Sequence, residues 1–195
     1  MASGPFIVGI MGASCSGKTT ICERLEKLLP VTVVQMDWYY HDPSTFRTKH
    51  GYPNGEEPSC IDFGLLASHL RLLHAGEEVT FTTVRKKERV RIIPAPLIAV
   101  EGFLLLCDPT VRDLLDLRVF IDIPEEEAIR RKIARGRSAL ARDENYVRLL
   151  TIGEYRLHGL PMRVHAQLTL DGTRDAGENA RLLARAIIEG QRERQ

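Results

Sequence analysis

Apolar runs of strand length alternate along this chain with stretches in which apolar residues recur every three or four positions. That alternation predicts a parallel sheet covered by helices on both faces. Phe6 to Met11 (FIVGIM) is almost continuously apolar, as expected of a central strand buried on both sides. From Thr19 the spacing changes, and Ile21, Leu25, Leu28 and Leu29 form a helical stripe that Pro30 should stop. Val31 to Met36 predicts the second strand, Leu97 to Val100 the third, Leu117 to Ile123 the fourth and His165 to Leu170 the fifth. Asp62 is placed to cap a helix carrying Leu65, Leu66, Leu70 and Leu73, with Gly76 as its stop.

Glu78 to Ile93 predicts a hairpin around the charged tip Arg85, Lys86, Lys87 and Glu88, although no diagnostic two-residue turn is present. Pro124 is expected at the first position of a helix with glutamates behind it, Arg130, Arg131 and Arg135 towards its end, and Gly136 just beyond. Charge ordered in that way complements the helix dipole. Further helices are expected over Glu144 to His158 and Asp175 to Gly190, the latter with Leu182, Leu183, Ala186 and Ile187 on one face. The fold class is therefore α/β, one domain over residues 1–195 with a five-stranded parallel sheet flanked by helices, a hairpin insertion over about 78–93 and an arginine-rich lid over about 135–146.

Composition narrows the class. With 195 residues, 44% of them hydrophobic, the chain can build a full core without a disulfide or metal staple. A net charge of +1 and a pI of about 7.7 argue against a dedicated nucleic-acid binder. No run is long enough for a membrane span, and Phe6 to Met11 reads as a strand rather than a signal segment, so a cytoplasmic protein with no membrane partner is expected. Cys15, Cys22, Cys60 and Cys107 lack a CxxC spacing, which predicts reduced thiols and no zinc site.

The chemistry enters at GASCSGKT, residues Gly12, Ala13, Ser14, Cys15, Ser16, Gly17, Lys18 and Thr19, followed by Thr20. This matches GxxxxGK[ST] between a predicted strand and a predicted helix. Glycines let the backbone wrap a polyphosphate with its N–H groups inward, Lys18 adds a full positive charge, and Thr19 is the expected Mg²⁺ ligand. The loop implies nucleoside triphosphate binding without choosing among kinase, GTPase and motor. Two carboxylates at strand ends refine it, because open parallel sheets bind ligands there. Asp37 (VVQMD) can accept a hydroxyl proton in phosphoryl transfer, and Glu101 (LIAVE) can serve the metal. The NKxD and DxxG motifs expected of a regulatory GTPase are absent. Arg130, Arg131, Lys132, Arg135 and Arg137 form a basic cluster suited to a lid over a transferring phosphoryl group.

Taken with the segments MDWYY, PAPLIAVEGFLLL, DPTVRDLLDLRVFID and RRKIARGRS, the chain resembles the uridine kinase and nicotinamide riboside kinase group within the phosphoribulokinase/uridine kinase family, from Phe6 to Ile188. The resemblance implies the P-loop fold of nucleoside and nucleotide kinases, and ATP- and Mg²⁺-dependent phosphorylation of the 5′-hydroxyl of a ribonucleoside. It implies that Asp37 is the catalytic base, that Tyr40 lies beside the substrate, that Arg131 is a catalytic arginine touching the ribose, and that Arg135 and Arg137 are lid arginines on the nucleotide. For the ribose hydroxyls, Glu56 matches the uridine kinase pattern and Asp62 the nicotinamide riboside kinase pattern. Where uridine kinases read the pyrimidine with a YDFxxHxR hairpin, this chain has Glu78, Thr83 and a retained Arg85. EGFLLL and LDGT are more similar to the nicotinamide riboside kinases, so relaxed or non-pyrimidine selectivity is expected. A kinase for another small alcohol and a nucleotide-dependent regulatory protein are the alternative readings.

Overall fold

A computed structural model describes residues 4–194. In chain order its elements are β1 (Phe6–Gly12), α1 (Lys18–Leu25), β2 (Val31–Gln35), a 3₁₀ turn (Met36–Tyr39), β3 (Thr48–Lys49), β4 (Tyr52–Pro53), α2 (Phe63–His74), β5 (Val79–Thr82), β6 (Arg89–Ile92) and β7 (Leu97–Gly102). They continue with α3 (Pro109–Arg112), β8 (Leu117–Asp122), α4 (Glu125–Arg135), α5 (Ala139–Arg142), α6 (Glu144–Tyr146), β9 (Leu168–Asp171) and α7 (Ala176–Glu193). Five strands form one parallel sheet in the order β2-β7-β1-β8-β9. The fold is α/β, with β1 at the centre and every one of its residues buried.

The side-chain alternation of β1 builds two cores. Phe6, Val8 and Ile10 face α1 and α7, where Ile21, Leu25, Ala180, Leu183 and Ile187 meet them. Ile7 and Met11 face the other way, into a larger core with Leu66, Leu70 and Leu73 of α2 and Val111 of α3. A strand buried on both faces cannot alternate polar with apolar, which is why FIVGIM is continuous. Asp62 caps α2 by accepting from the Leu65 N–H at 2.8 Å, and Gly76 turns the chain away at φ +84°. β5 and β6 pair antiparallel from Val79↔Ile92 to Thr82↔Arg89.

Several predicted boundaries move: β2 ends at Gln35, β7 runs on to Gly102, β8 ends at Asp122 and α7 covers Ala176–Glu193. Pro124 is the N-cap of α4, one position before the first helical residue. The stripe through Leu29 outruns α1, whose regular turns end at Leu25. From Val147 the predicted 144–158 helix is wound as wide π turns, over Val147–Ile152 and Tyr155–Gly159. β9 starts at Leu168 rather than His165, because Pro161 opens a 3₁₀ turn over Leu160–His165. Among the described residues no helix is long and apolar enough to cross a membrane.

Candidate active site

The loop between β1 and α1 is shaped by two backbone positions. Gly17 sits at φ +103°, a conformation that costs a side-chain-bearing residue dearly, and Cys15 adopts the left-handed region at φ +64°. No side chain caps α1. The first-turn N–H groups of Lys18, Thr19 and Thr20 have no acceptor within the helix and point at the loop. Lys18 Nζ donates to the carbonyls of Gly12 and Ala13, both at 3.0 Å, so the ammonium is held in the curve of the loop. Burial pulls its pKa below the usual lysine range, opposed by the carboxylates of Glu101 and Asp37. Ser16 Oγ is buried without a hydrogen-bond partner. Uncapped amides, a buried ammonium and an orphaned hydroxyl fit a polyphosphate.

A cavity of about 480 Å³ is lined by Ser14, Cys15, Gly17, Lys18, Thr19 and Thr20 on the loop side, by Asp37 and Glu101 at the strand ends, by Arg131 and Arg135 of α4 and by Arg137 just beyond it. Asp37 lies in the 3₁₀ turn just past β2, and Glu101 is the penultimate residue of β7. The Thr19 hydroxyl donates to Glu101 Oε1 at 2.9 Å. A hydroxyl beside a carboxylate is hard-oxygen chemistry that suits Mg²⁺. Gln35, Gly102 and Phe103 complete the wall and were not singled out from sequence. Gln35 was legible in principle, because it stands in register with Glu101 on the neighbouring strand.

Arg131 lines the cavity and is anchored on protein groups. Its Nη1 donates to Gly172 O at 2.9 Å and to Cys15 O at 3.5 Å, while Nε donates to Glu127 Oε1 at 2.6 Å. The guanidinium thus ties the phosphate loop to the turn after β9.

The remaining predicted residues lie outside the cavity lining. Glu56 is buried, and its Oε1 accepts from Thr151 Oγ1 at 3.0 Å, Tyr146 Oη at 3.3 Å and Lys132 Nζ at 3.4 Å. These donors join the segment after β4 to α4 and to the π-wound helix; sequence spacing gave no sign of it. Asp62 Oδ1 is engaged as the α2 cap. Tyr40 is buried, donates its hydroxyl to Gly55 O at 3.0 Å and carries the Arg85 guanidinium over its ring. Burial, then Glu56 and Asp37, push the Tyr40 hydroxyl well above the usual tyrosine range. All four cysteines are free thiols.

The model of the phosphoribulokinase/uridine kinase family matches residues 7–148, from β1 into the segment after α6. The chain belongs to that family. It is 30% identical over 189 residues to a uridine kinase of Borrelia turicatae, with 91% of this chain and 90% of the relative covered. It is 37% identical over 146 residues to a uridine kinase of Shewanella frigidimarina, covering 66% and 68% of the two chains. A solved structure described as a possible uridine kinase from Bacillus stearothermophilus superposes with a TM-score of 0.61 at 21% identity, covering 88% of this chain and 91% of that one. Shikimate kinase from Acinetobacter baumannii gives a TM-score of 0.57 at 18% identity, with 95% and 94% covered. Both structures share the fold. As a member of this family the chain is a phosphotransferase.

Proposed function

We propose that the chain is a ribonucleoside kinase, which transfers the γ-phosphoryl group of ATP to the 5′-hydroxyl with Mg²⁺ as cofactor. The observation that carries this reading is the opposition of the phosphate loop to Asp37 and Glu101 across one cavity. The α1 amides and Lys18 hold the phosphates, and Ser16 Oγ gains an acceptor there. Thr19 and Glu101 are the residues that would hold Mg²⁺, which when bound neutralises charge on phosphate oxygens. Asp37 takes the proton of the acceptor hydroxyl as that oxygen bonds to phosphorus and ADP leaves. Arg135 and Arg137 meet the negative charge developing on the transferred group. Arg131 braces the loop, and the reading assigns the ribose hydroxyls to Glu56, whose segment also carries Gly55, the partner of Tyr40.

An acceptor panel tests the reading. Uridine, cytidine, nicotinamide riboside, simple sugars and shikimate are incubated with ATP and Mg²⁺, and products are identified by mass spectrometry. A riboside 5′-monophosphate with matching ADP release is expected. Phosphorylation of a sugar or of shikimate with no riboside product overturns it.

A further inference from the structure

Arg85, at the tip of the β5–β6 hairpin, is an exposed charged side chain. Its Cζ lies 4.7 Å from the centroid of the Tyr40 ring. Among the described residues the guanidinium makes no hydrogen bond and no ion pair. The other two hairpin positions that the family resemblance sets against a base are engaged elsewhere. Glu78 Oε2 accepts from Arg91 Nη2 at 2.6 Å on the outer edge of the hairpin. Thr83 is 2% exposed; its N–H donates to Glu88 O at 2.8 Å and its Oγ1 accepts from the Glu88 N–H at 3.1 Å, which closes the tip.

Tyr40 itself is 6% exposed, so a ring approaching from solvent meets the guanidinium rather than the phenol face. Tyr40 follows Asp37 by three residues and donates its hydroxyl to Gly55 O, next in sequence to Glu56, so the ring beneath Arg85 lies between the segments that carry these two carboxylates. Two nearby carboxylates are drawn to other cations. Glu56 is matched by Lys132 at 3.4 Å, and Glu88 at the tip is drawn to Lys86 at 3.8 Å. Lys87 and Arg89 add further positive charge to the same tip.

We propose that Arg85, held on the face of Tyr40, sorts acceptors by the charge of their ring, admitting an uncharged ring with carbonyl oxygens and disfavouring a cationic one. This specificity role rests on the ribonucleoside kinase reading. A guanidinium is planar, stacks on neutral heterocycles, and presents N–H donors at its edge to carbonyl oxygens. A pyridinium of equal size gains no cation–π attraction and meets a like charge that a partly exposed site screens only in part. On the order of tenfold discrimination follows from one such repulsion at a few ångströms. The loss of the pyrimidine-reading hairpin residues therefore does not leave the base side without a filter.

The test uses two ribosides of nearly one shape and different charge, nicotinamide riboside (cationic) and its 1,4-dihydro form (neutral). For the full chain with saturating ATP and Mg²⁺, kcat/KM is measured for both, or the inhibition constant against uridine where turnover is slow. The neutral form is expected to be preferred by about tenfold or more. The preference should fall to within about threefold in Arg85→Gln and persist in Arg85→Lys, which keeps the charge. Equal use of both forms by the unsubstituted protein, or a preference that Arg85→Gln leaves intact, overturns the proposal while leaving a ribonucleoside kinase in place. Phosphorylation of another alcohol with no riboside turned over or bound removes the underlying reading and this one with it.

Discussion

Replacing Arg131 with alanine separates a brace from a substrate contact. The guanidinium donates to Gly172 O at 2.9 Å and, weakly, to Cys15 O at 3.5 Å, with its side chain 30% exposed. A charged hydrogen bond contributes about 1.5–3 kcal/mol, and partial exposure with one long contact puts this pair near 1.5. The Glu127 pair on the same side chain adds little, since exposed i,i+4 pairs are worth about 0.3–0.5 kcal/mol. Loosening a loop whose amides must be preorganised for phosphate passes that loss on to ATP binding, so ATP affinity should fall about tenfold. Equilibrium titration with ATP and steady-state kinetics in both substrates check this. KM for the nucleoside should stay within about twofold if the guanidinium acts as a brace alone. A tenfold rise in nucleoside KM with ATP affinity unchanged would refute the brace and put the guanidinium on the ribose.

Asp37→Asn should bind ATP normally while kcat falls by ~10² or more, the scale of a positioned general base; near-normal turnover would show that another group takes the proton. Asp62→Asn preserves a good helix cap and removes only the charge, so nucleoside KM and the urea midpoint should both hold, and a raised KM would place Asp62 on the ribose instead of Glu56. His69, hydrogen-bonded to the Tyr39 hydroxyl at 3.1 Å, has its pKa pulled below the ordinary 6.5 by burial. The unfolded chain then binds this proton at higher pH than the folded one. Stability from this group is complete above pH 6.5 and declines as pH falls through the window below it. Urea midpoints at several pH values should show that decline, and His69→Gln should flatten it; identical slopes would exclude His69 as the titrating group.

The parts legible in sequence are those whose physics is local. GASCSGKT announces itself because wrapping a phosphate needs glycine, lysine and threonine within one turn of chain. Asp37 and Glu101 could be found because a parallel sheet exposes its strand ends, and Asp62 because capping acts over three residues. The parts that escaped depend on distant partners. Glu56 takes donors from Lys132, Tyr146 and Thr151, and Arg131 reaches back to Cys15, none of which a spacing rule connects. The π turns after Val147 escaped for another reason. The spacing of their buried positions, Val147, Leu150, Thr151 and Tyr155, imitates an ordinary helix closely enough to hide the wider winding.

The position of β1 at the centre of the sheet has a consequence for synthesis. It is synthesised well before its two neighbours, β7 and β8, whose pairings set Ile10 against Glu101 and Gly9 against Arg118. At about 5–20 residues per second, Phe120 follows Gly12 by roughly 5–20 s. A nascent chain halted before Leu97 therefore holds the whole GASCSGKT segment with no neighbouring strand to fix its ends, and has no phosphate site. The loop gains both flanking strands only once β8 has paired, so nucleotide binding is expected to report closure of the sheet around β1, with β9 still to be added, rather than emergence of the loop. Such non-local pairing also predicts slow folding, with FIVGIM exposed in the interval as the segment most in need of shielding from aggregation.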